Sequence, residues 1–310
     1  MLIQGFIFIT ALYMVVRGAL LATKYAARLA ESFKLSAYTV GFIVIAIISI
    51  LPETFIAVNA ALTGNPAFGF GMLLGSNVID LTLVFALIVL LSRRPLRVES
   101  RILQSHAFYP FILVLPIILG LDGHLSRAEG IVLIIGGIIF YYLALKHGDK
   151  ADTTPHTSSN HLKPFLFLLL SMGLLLIGSH FTVASATELA HIIGISPVLI
   201  GMLIVSLGTT LPEFVFSLNA VKAHEDSLAI GDILGTVLAD ATIVVGLIAL
   251  IHPFFFPPTI IYIAGIFMVA ASFILFSFMR SGHSITSKEA FVLCVFWLTF
   301  VLIETVVTVY

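Results

Sequence analysis

The chain carries one pattern twice, 160 residues apart: Ser49-Ile50-Leu51-Pro52-Glu53 returns as Thr209-Thr210-Leu211-Pro212-Glu213, and Gly75-Ser76-Asn77-Val78-Ile79-Asp80 returns as Gly235-Thr236-Val237-Leu238-Ala239-Asp240. Both copies lie in apolar runs long enough to cross a bilayer. An ionisable side chain at the centre of such a run costs roughly 3 kcal/mol on insertion scales, so four of them in matching register point to a bound cation or proton. Transport is therefore the function that the repeat most directly suggests.

Composition agrees with a membrane setting, because 60% of the 310 residues are apolar and only 10% charged, against about 25% charged in soluble domains. Runs of about 20 apolar residues match a hydrocarbon core about 30 Å thick. Ten such spans fit, at 3–24, 36–62, 67–92, 104–121, 128–146, 163–187, 196–222, 227–252, 258–279 and 288–309. They predict an all-α polytopic membrane protein; the runs are too long, and lack the strict alternation, for an outer-membrane barrel. The polar stretch His147 to His161 separates a first unit, 1–150, from a second, 163–310, with residues 151–162 as a cytoplasmic linker. The first apolar run lacks a small-residue cleavage site, so it is expected to be a retained span and not a removable signal. Cys294 is the only cysteine, which leaves no intrachain disulfide and no thiolate metal cluster. The net charge of −1 gives no reason to expect a nucleic-acid partner.

Basic residues orient the spans. Connections after the odd-numbered spans and their flanks hold Lys24, Arg28, Lys34, Arg93, Arg94, Arg97, Arg101, Lys146, Lys150, Lys163, Lys222, Arg280 and Lys288, whereas the other side has only Arg127. The positive-inside rule makes the basic side cytoplasmic and places both termini outside. A repeat of five spans crosses the membrane an odd number of times, so its second copy starts from the opposite side. Two inverted five-helix repeats are therefore expected, related by an axis in the membrane plane. The tract Arg93-Arg94-Pro95-Leu96-Arg97 is read as a topology signal in contact with anionic lipid.

Within each half, the polar residues share helix faces. Ser49 and Glu53 are four apart, as are Thr209 and Glu213, Ser76 and Asp80, and Asp232, Thr236 and Asp240. Pro52 and Pro212 have no amide hydrogen and clash with the carbonyl four residues earlier, which frees the carbonyls of Ile48 and Gly208. Carboxylates, hydroxyls and freed carbonyls form an all-oxygen set suited to a hard cation such as Ca²⁺ or Na⁺. Gly71, Gly75, Gly231 and Gly235 are expected to let helices approach closely. Outside the repeat, Glu304 is read as structural, Asn59 and Asn219 as helix-to-helix hydrogen bonders, and Arg17 as an interfacial side chain.

These motifs resemble the alpha-repeats of the cation/calcium antiporter superfamily, in particular the prokaryotic sodium/calcium exchangers, with a Gly-Thr-Ser-Leu-Pro-Glu core followed by a Gly-Asn-x-x-Gly-Ser-Asn segment. Gly208-Thr209-Thr210-Leu211-Pro212-Glu213 is the most specific match, and the resemblance spans essentially the whole chain. It implies a mid-membrane set of overlapping Na⁺ and Ca²⁺ sites made by Glu53, Asp80, Glu213 and Asp240, supported by Ser49, Ser76, Thr209, Thr210 and Thr236. It also implies an antiporter of the cell membrane, functional as a monomer among lipids, with no cofactor and no enzymatic step. The chain departs from the family pattern where Ile48-Ser49-Ile50 stands for Gly-Thr-Ser, so that Ile50 replaces a hydroxyl, where Met72 and Asp232 replace the Asn of Gly-Asn, and at Asp80, where the closest relatives carry Asn. Proton- or potassium-coupled calcium exchange is the nearest alternative, followed by a cation channel and an intramembrane enzyme.

Overall fold

The computed structural model describes residues 2–32, 46–98, 108–146 and 162–309. The first parts of the expected spans 36–62 and 104–121, the linker residues 151–161, and Lys34, Arg101 and Lys150 lie outside the described residues. The first half contains α1 (Leu2–Ser32), α2 (Ala46–Ser49), α3 (Leu51–Leu62) and α4 (Pro66–Ile79). A π turn (Asp80–Val84) leads from α4 into α5 (Phe85–Ser92), then come β1 (Leu96–Arg97), α6 (Tyr109–Ile112), α7 (Leu115–Leu119), β2 (His124–Leu125) and α8 (Arg127–Lys146). The second half runs α9 (Leu162–Ile193), α10 (Pro197–Ile200), a π turn (Gly201–Val205), α11 (Ser206–Thr209), α12 (Leu211–Lys222) and α13 (Asp226–Ala239). A third π turn (Asp240–Val244), α14 (Val245–Ile251), β3 (Phe254–Phe255), α15 (Pro258–Gly282), β4 (Ser284–Ile285) and α16 (Ser287–Val309) complete it.

The 160-residue period survives as geometry. Elements α3 and α12, α4 and α13, and the π turns beginning at Asp80 and Asp240 have bounds offset by that number. Helices α8 and α16 begin with matching reciprocal caps. Ser126 N–H donates to Glu129 at 2.7 Å while Glu129 N–H donates to the Ser126 hydroxyl at 3.3 Å, and Thr286 with Glu289 repeats this at 2.7 and 3.4 Å. Each such box satisfies amide donors that a helix start leaves unpaired. The short strands exchange partners between halves, β1 with β4 and β2 with β3, both antiparallel.

Seven helices among the described residues are long and apolar enough to cross a membrane. They sort into an inner and an outer layer: the windows of 66–92 and 226–251 are 83% buried, those of Leu2–Ala22 and Pro164–Ile193 only 33%. Helices α1 and α9 run antiparallel along each other, with Tyr25 stacked on Phe167 at 4.6 Å, Gly18 against Leu175 and Gly178 against Val15. Their outer faces present Leu2, Phe6, Ile9, Leu166, Leu169 and Leu170, as a lipid-facing surface does.

Three expected spans are not continuous helices: 36–62, 104–121 and 196–222, the last broken at Thr210 between α11 and α12. The span 36–62 breaks at Ile50, between α2 and α3, because Pro52 cannot donate to the Ile48 carbonyl. In 104–121, α6 and α7 are parted by Leu113–Val114, where Pro116 has the same effect on Ile112. One residue of the basic tract, Arg94, differs from the reading as lipid contact, while Arg93 and Arg97 are exposed. Arg94 turns inward, its guanidinium donating to both oxygens of Asp226 (2.8 and 2.5 Å) and to the Val221 carbonyl, and Arg97 N–H donates to Asp226 at 2.9 Å. A carboxylate at the first turn of α13 matches the fork of an arginine better than mobile lipid does.

Close approach of α4 to the second half depends on Gly71 and Gly75. A Cβ at Gly75 would sit 2.1 Å from the Met202 carbonyl oxygen, and one at Gly71 would sit 2.4 Å from a Val198 methyl. Backbone cannot yield as a side-chain tip can. Gly75→Val should therefore destabilise the fold by about 1–3 kcal/mol, read as a lowered thermal midpoint in detergent. Gly173→Ala, which meets nothing within 4 Å, should leave the midpoint unchanged or slightly raised.

Candidate cation-binding site

The polar residues converge where the helices are interrupted. At the first interruption Ile50 has φ −76° and ψ −5°, and at the second Thr210 has φ −75° and ψ −12°, with proline at the second position of the following helix in both. Hydrogen bonding resumes at once, with Thr54 N–H donating to Ile50 and Phe214 N–H to Thr210, each at 2.9 Å. The break thus offsets the helix axis without unravelling it, and it leaves Glu53 and Glu213 in the first turns of α3 and α12. Asp80 and Asp240 each open a π turn, a local widening that loosens backbone pairing and recurs at functional sites.

Glu53, Asp80, Glu213 and Asp240 are all at most 1% exposed. Every one of their six pairings is an electrostatic contact: Asp80 with Glu53, Glu213 with Glu53, Asp80 and Asp240, and Asp240 with Glu53 and Asp80. None of their eight carboxyl oxygens accepts a hydrogen bond from a described residue. Thr209 stands beside Glu53. Buried oxygens without donors are costly unless something positive meets them. Among the described residues no three acidic, histidine or cysteine side chains close on one point as a finished metal centre. The acids are spread as a cluster, and any single ion within it must draw on hydroxyls and carbonyls as well.

The supporting hydroxyls are all buried. Ser76, Thr209 and Thr210 donate to carbonyls of their own helices, Leu73 at 3.0 Å, Ser206 at 3.1 Å and Leu207 at 3.2 Å. A hydroxyl that donates to its backbone keeps its lone pairs free. Thr236 has no partner for its hydroxyl among the described residues. Ser49 behaves differently from the other four: it crosses to the second half and donates to Asp232 at 2.7 Å, and Ser217 donates to the other oxygen at 3.3 Å. Asp232, 1% exposed, is in electrostatic contact with Asp80 and Glu213 and is a fifth acid of the cluster.

Residue spacing had put Asp232 on the face of Asp240 without giving it a task; its one-to-one replacement of Met72 across the repeat is the signal that it is not part of the symmetric set. Asn77 went unassigned although it sits inside the repeated motif. Its amide lies 3.5 Å from the Met268 sulfur and its carbonyl oxygen is buried without a partner among the described residues. Two tyrosines brace the inner layer from outside the repeat: Tyr109 donates to the Leu234 carbonyl at 2.7 Å and Tyr141 to that of Gly235 at 2.5 Å. Nothing in the spacing of those tyrosines points to the site. Farther away, Asn59 meets His180 of α9 at 3.3 Å, a helix-to-helix contact as expected.

The sequence pattern of the family described as sodium/calcium exchanger protein matches residues 3–146 and 163–306, one block in each half. The chain belongs to the sodium/calcium exchanger family. That is a family of membrane transporters and not of enzymes. Its relatives include the inner membrane protein YrbG of Escherichia coli (strain K12), 30% identical over 268 residues that cover 82% of this chain and 81% of YrbG. Two solved structures share the fold. The sodium-calcium exchanger NCX_Mj, soaked with Na⁺ and Sr²⁺, superposes with a TM-score of 0.69 at 24% identity, covering 96% of this chain and 98% of its own. The H⁺/Ca²⁺ exchanger CAX gives 0.77 at 16% identity, covering 97% and 86%.

The Ser49–Asp232 bond is the contact that ties the two halves of the cluster together. A double-mutant cycle of Ser49→Ala and Asp232→Ala, followed by thermal unfolding, should return a coupling of about 1–3 kcal/mol. Additive effects would mean that the bond contributes nothing.

Proposed function

We propose that this exchanger-family protein is an alternating-access antiporter that exports Ca²⁺ against an inward gradient of Na⁺. The observation that carries this reading is the cluster itself, four buried carboxylates in mutual electrostatic reach whose eight oxygens have no hydrogen-bond partner among the described residues. Glu53, Asp80, Glu213 and Asp240 serve as the charged ligands, with Ser49, Ser76, Thr209, Thr210 and Thr236 as neutral ones. One Ca²⁺ offsets two of their four charges. Further cations or protons must complete the neutralisation before the site can be closed away from water. That requirement makes exchange, and not free flow, the natural behaviour: an empty, highly charged site resists occlusion, and a filled one permits it.

The architecture we infer is ten transmembrane helices in two inverted repeats, with the termini external and the cell membrane as the location. Helices α1 and α9 occupy equivalent places in the two halves and yet run antiparallel, and the strand pairs exchange halves symmetrically. Both features support an axis lying in the membrane plane. Coupling to H⁺ is the second reading, and a specific observation favours it. Asp80 and Asp232 bring the acids of the cluster to five, so protons are a ready means of balancing charge that one Ca²⁺ leaves uncovered.

Radioactive Ca²⁺ uptake into proteoliposomes under separately imposed Na⁺, K⁺ and H⁺ gradients tests the reading. Glu53→Gln and Glu213→Gln should each abolish uptake in a folded protein, because they remove charge at nearly constant volume. Thr209→Ala, which removes one neutral ligand, should only reduce it. Near-normal flux in either Gln variant, at equal protein per liposome, would take that glutamate out of the essential set.

Protons and Ca²⁺ compete for the same oxygens, so uptake should fall as pH drops below neutral. Asp80→Asn removes one competing carboxylate and should make this fall shallower. Superimposable pH profiles of wild type and variant would remove Asp80 from the competition.

A further inference from the structure

Glu304 is the one fully buried acid of the described chain that the exchange mechanism leaves unused. It sits in α16, five residues before the last residue of that helix, with 0% exposure and with both carboxyl oxygens lacking any partner among the described residues. It lies against the α15 backbone at Ala264. Ala264 is one helical turn from Met268, whose sulfur contacts the Asn77 amide of the ion-site helix α4. The repeat offers no counterpart, since the position 160 residues earlier is Ala144.

Among the described residues, the elements packed on α16 supply no counter-charge to Glu304. Helix α16 packs on α15, α5, the π turn at Asp80–Val84 and α10. The titratable or charged side chains of those elements are Asp80, Tyr262 and Arg280. Asp80 is negative when ionised and faces Glu53, Glu213 and Asp232. Tyr262 donates its hydroxyl to the Leu121 carbonyl at 2.6 Å. Arg280 is 16 residues from Ala264, about 24 Å along the helix. An ionised carboxylate in such surroundings is far less favourable than a neutral acid, which still costs something but carries no charge.

We propose that Glu304 is a proton-binding site separate from the cation cluster, and that losing its proton switches transport off. Ionisation would draw water or a cation between α15 and α16 and so disturb Met268 and, behind it, Asn77. The inference rests on the exchange reading for its transport consequence alone; occupancy by a proton stands without it.

Two measurements decide. Infrared spectra of wild type and Glu304→Gln, compared near neutral pH, should show the variant lacking a protonated carboxyl band; loss of an ionised carboxylate band instead would overturn the proposal. Ca²⁺ uptake by the wild type should fall at least about threefold as pH is raised well above neutral. Glu304→Gln, which imitates the neutral acid and cannot ionise, should hold its uptake there, and superimposable alkaline limbs would overturn the switch. If the variant does not fold, an apolar carbodiimide, which needs a protonated carboxyl, should label wild-type Glu304 at neutral pH and progressively less as pH rises, located by peptide mass spectrometry. Absence of that label would overturn the proton site. Failure of the wild type to move Ca²⁺ at any pH would sink the exchange reading and leave the infrared result to judge Glu304.

Discussion

Mutual repulsion of buried carboxylates is the constraint on which the rest of the structure depends. Glu53, Asp80, Glu213 and Asp240 are each within electrostatic reach of the other three, buried, and without hydrogen-bond donors among the described residues. A cluster of this kind persists only in a scaffold stable enough to hold it and only alongside positive charge that can come and go. The scaffold here is the inner layer of α4, α5, α13 and α14, the most buried helices of the chain, surrounded by an apolar core.

Helix interruptions are the means by which the scaffold presents oxygen inside a membrane. Continuous helices satisfy their own carbonyls and would show a cation only side chains. The breaks at Ile50 and Thr210 and the π turns opening at Asp80 and Asp240 place irregular backbone beside each acid, and such backbone is tolerated in a bilayer only where protein or a cavity covers it. Glycine makes the covering possible at Gly75, where the Met202 carbonyl leaves no space for a side chain.

The two halves are alike in their repeated acids and unlike in what supports them. Asp232 replaces Met72 and ties Ser49 across the interface, Tyr109 and Tyr141 donate to carbonyls of α13, and Arg94 clasps Asp226 at one end of the bundle. Symmetry therefore describes the repeated acids and hydroxyls better than it describes the molecule. The departures fall on residues that bridge halves, where identical surfaces would have to meet themselves and a complementary pair fits more readily.

Much of this was legible in the residues. Periodicity across 160 residues located the repeated acids, their hydroxyl neighbours and the prolines, because a membrane leaves so few polar groups unexplained that each one stands out. The capping boxes before α8 and α16 are equally local, a Ser or Thr three residues ahead of a Glu. Spacing could not reveal that Ser49 would turn to Asp232, that Arg94 would leave the lipid for Asp226, or that Tyr109 and Tyr141 would reach the carbonyls of Leu234 and Gly235. Those contacts join residues from 94 to 183 positions apart, and only packing brings such partners together. Sequence determined which groups must be compensated, since the cost of burial belongs to each side chain; tertiary structure decided which partner compensates each one, and left Glu304 with none among the described residues.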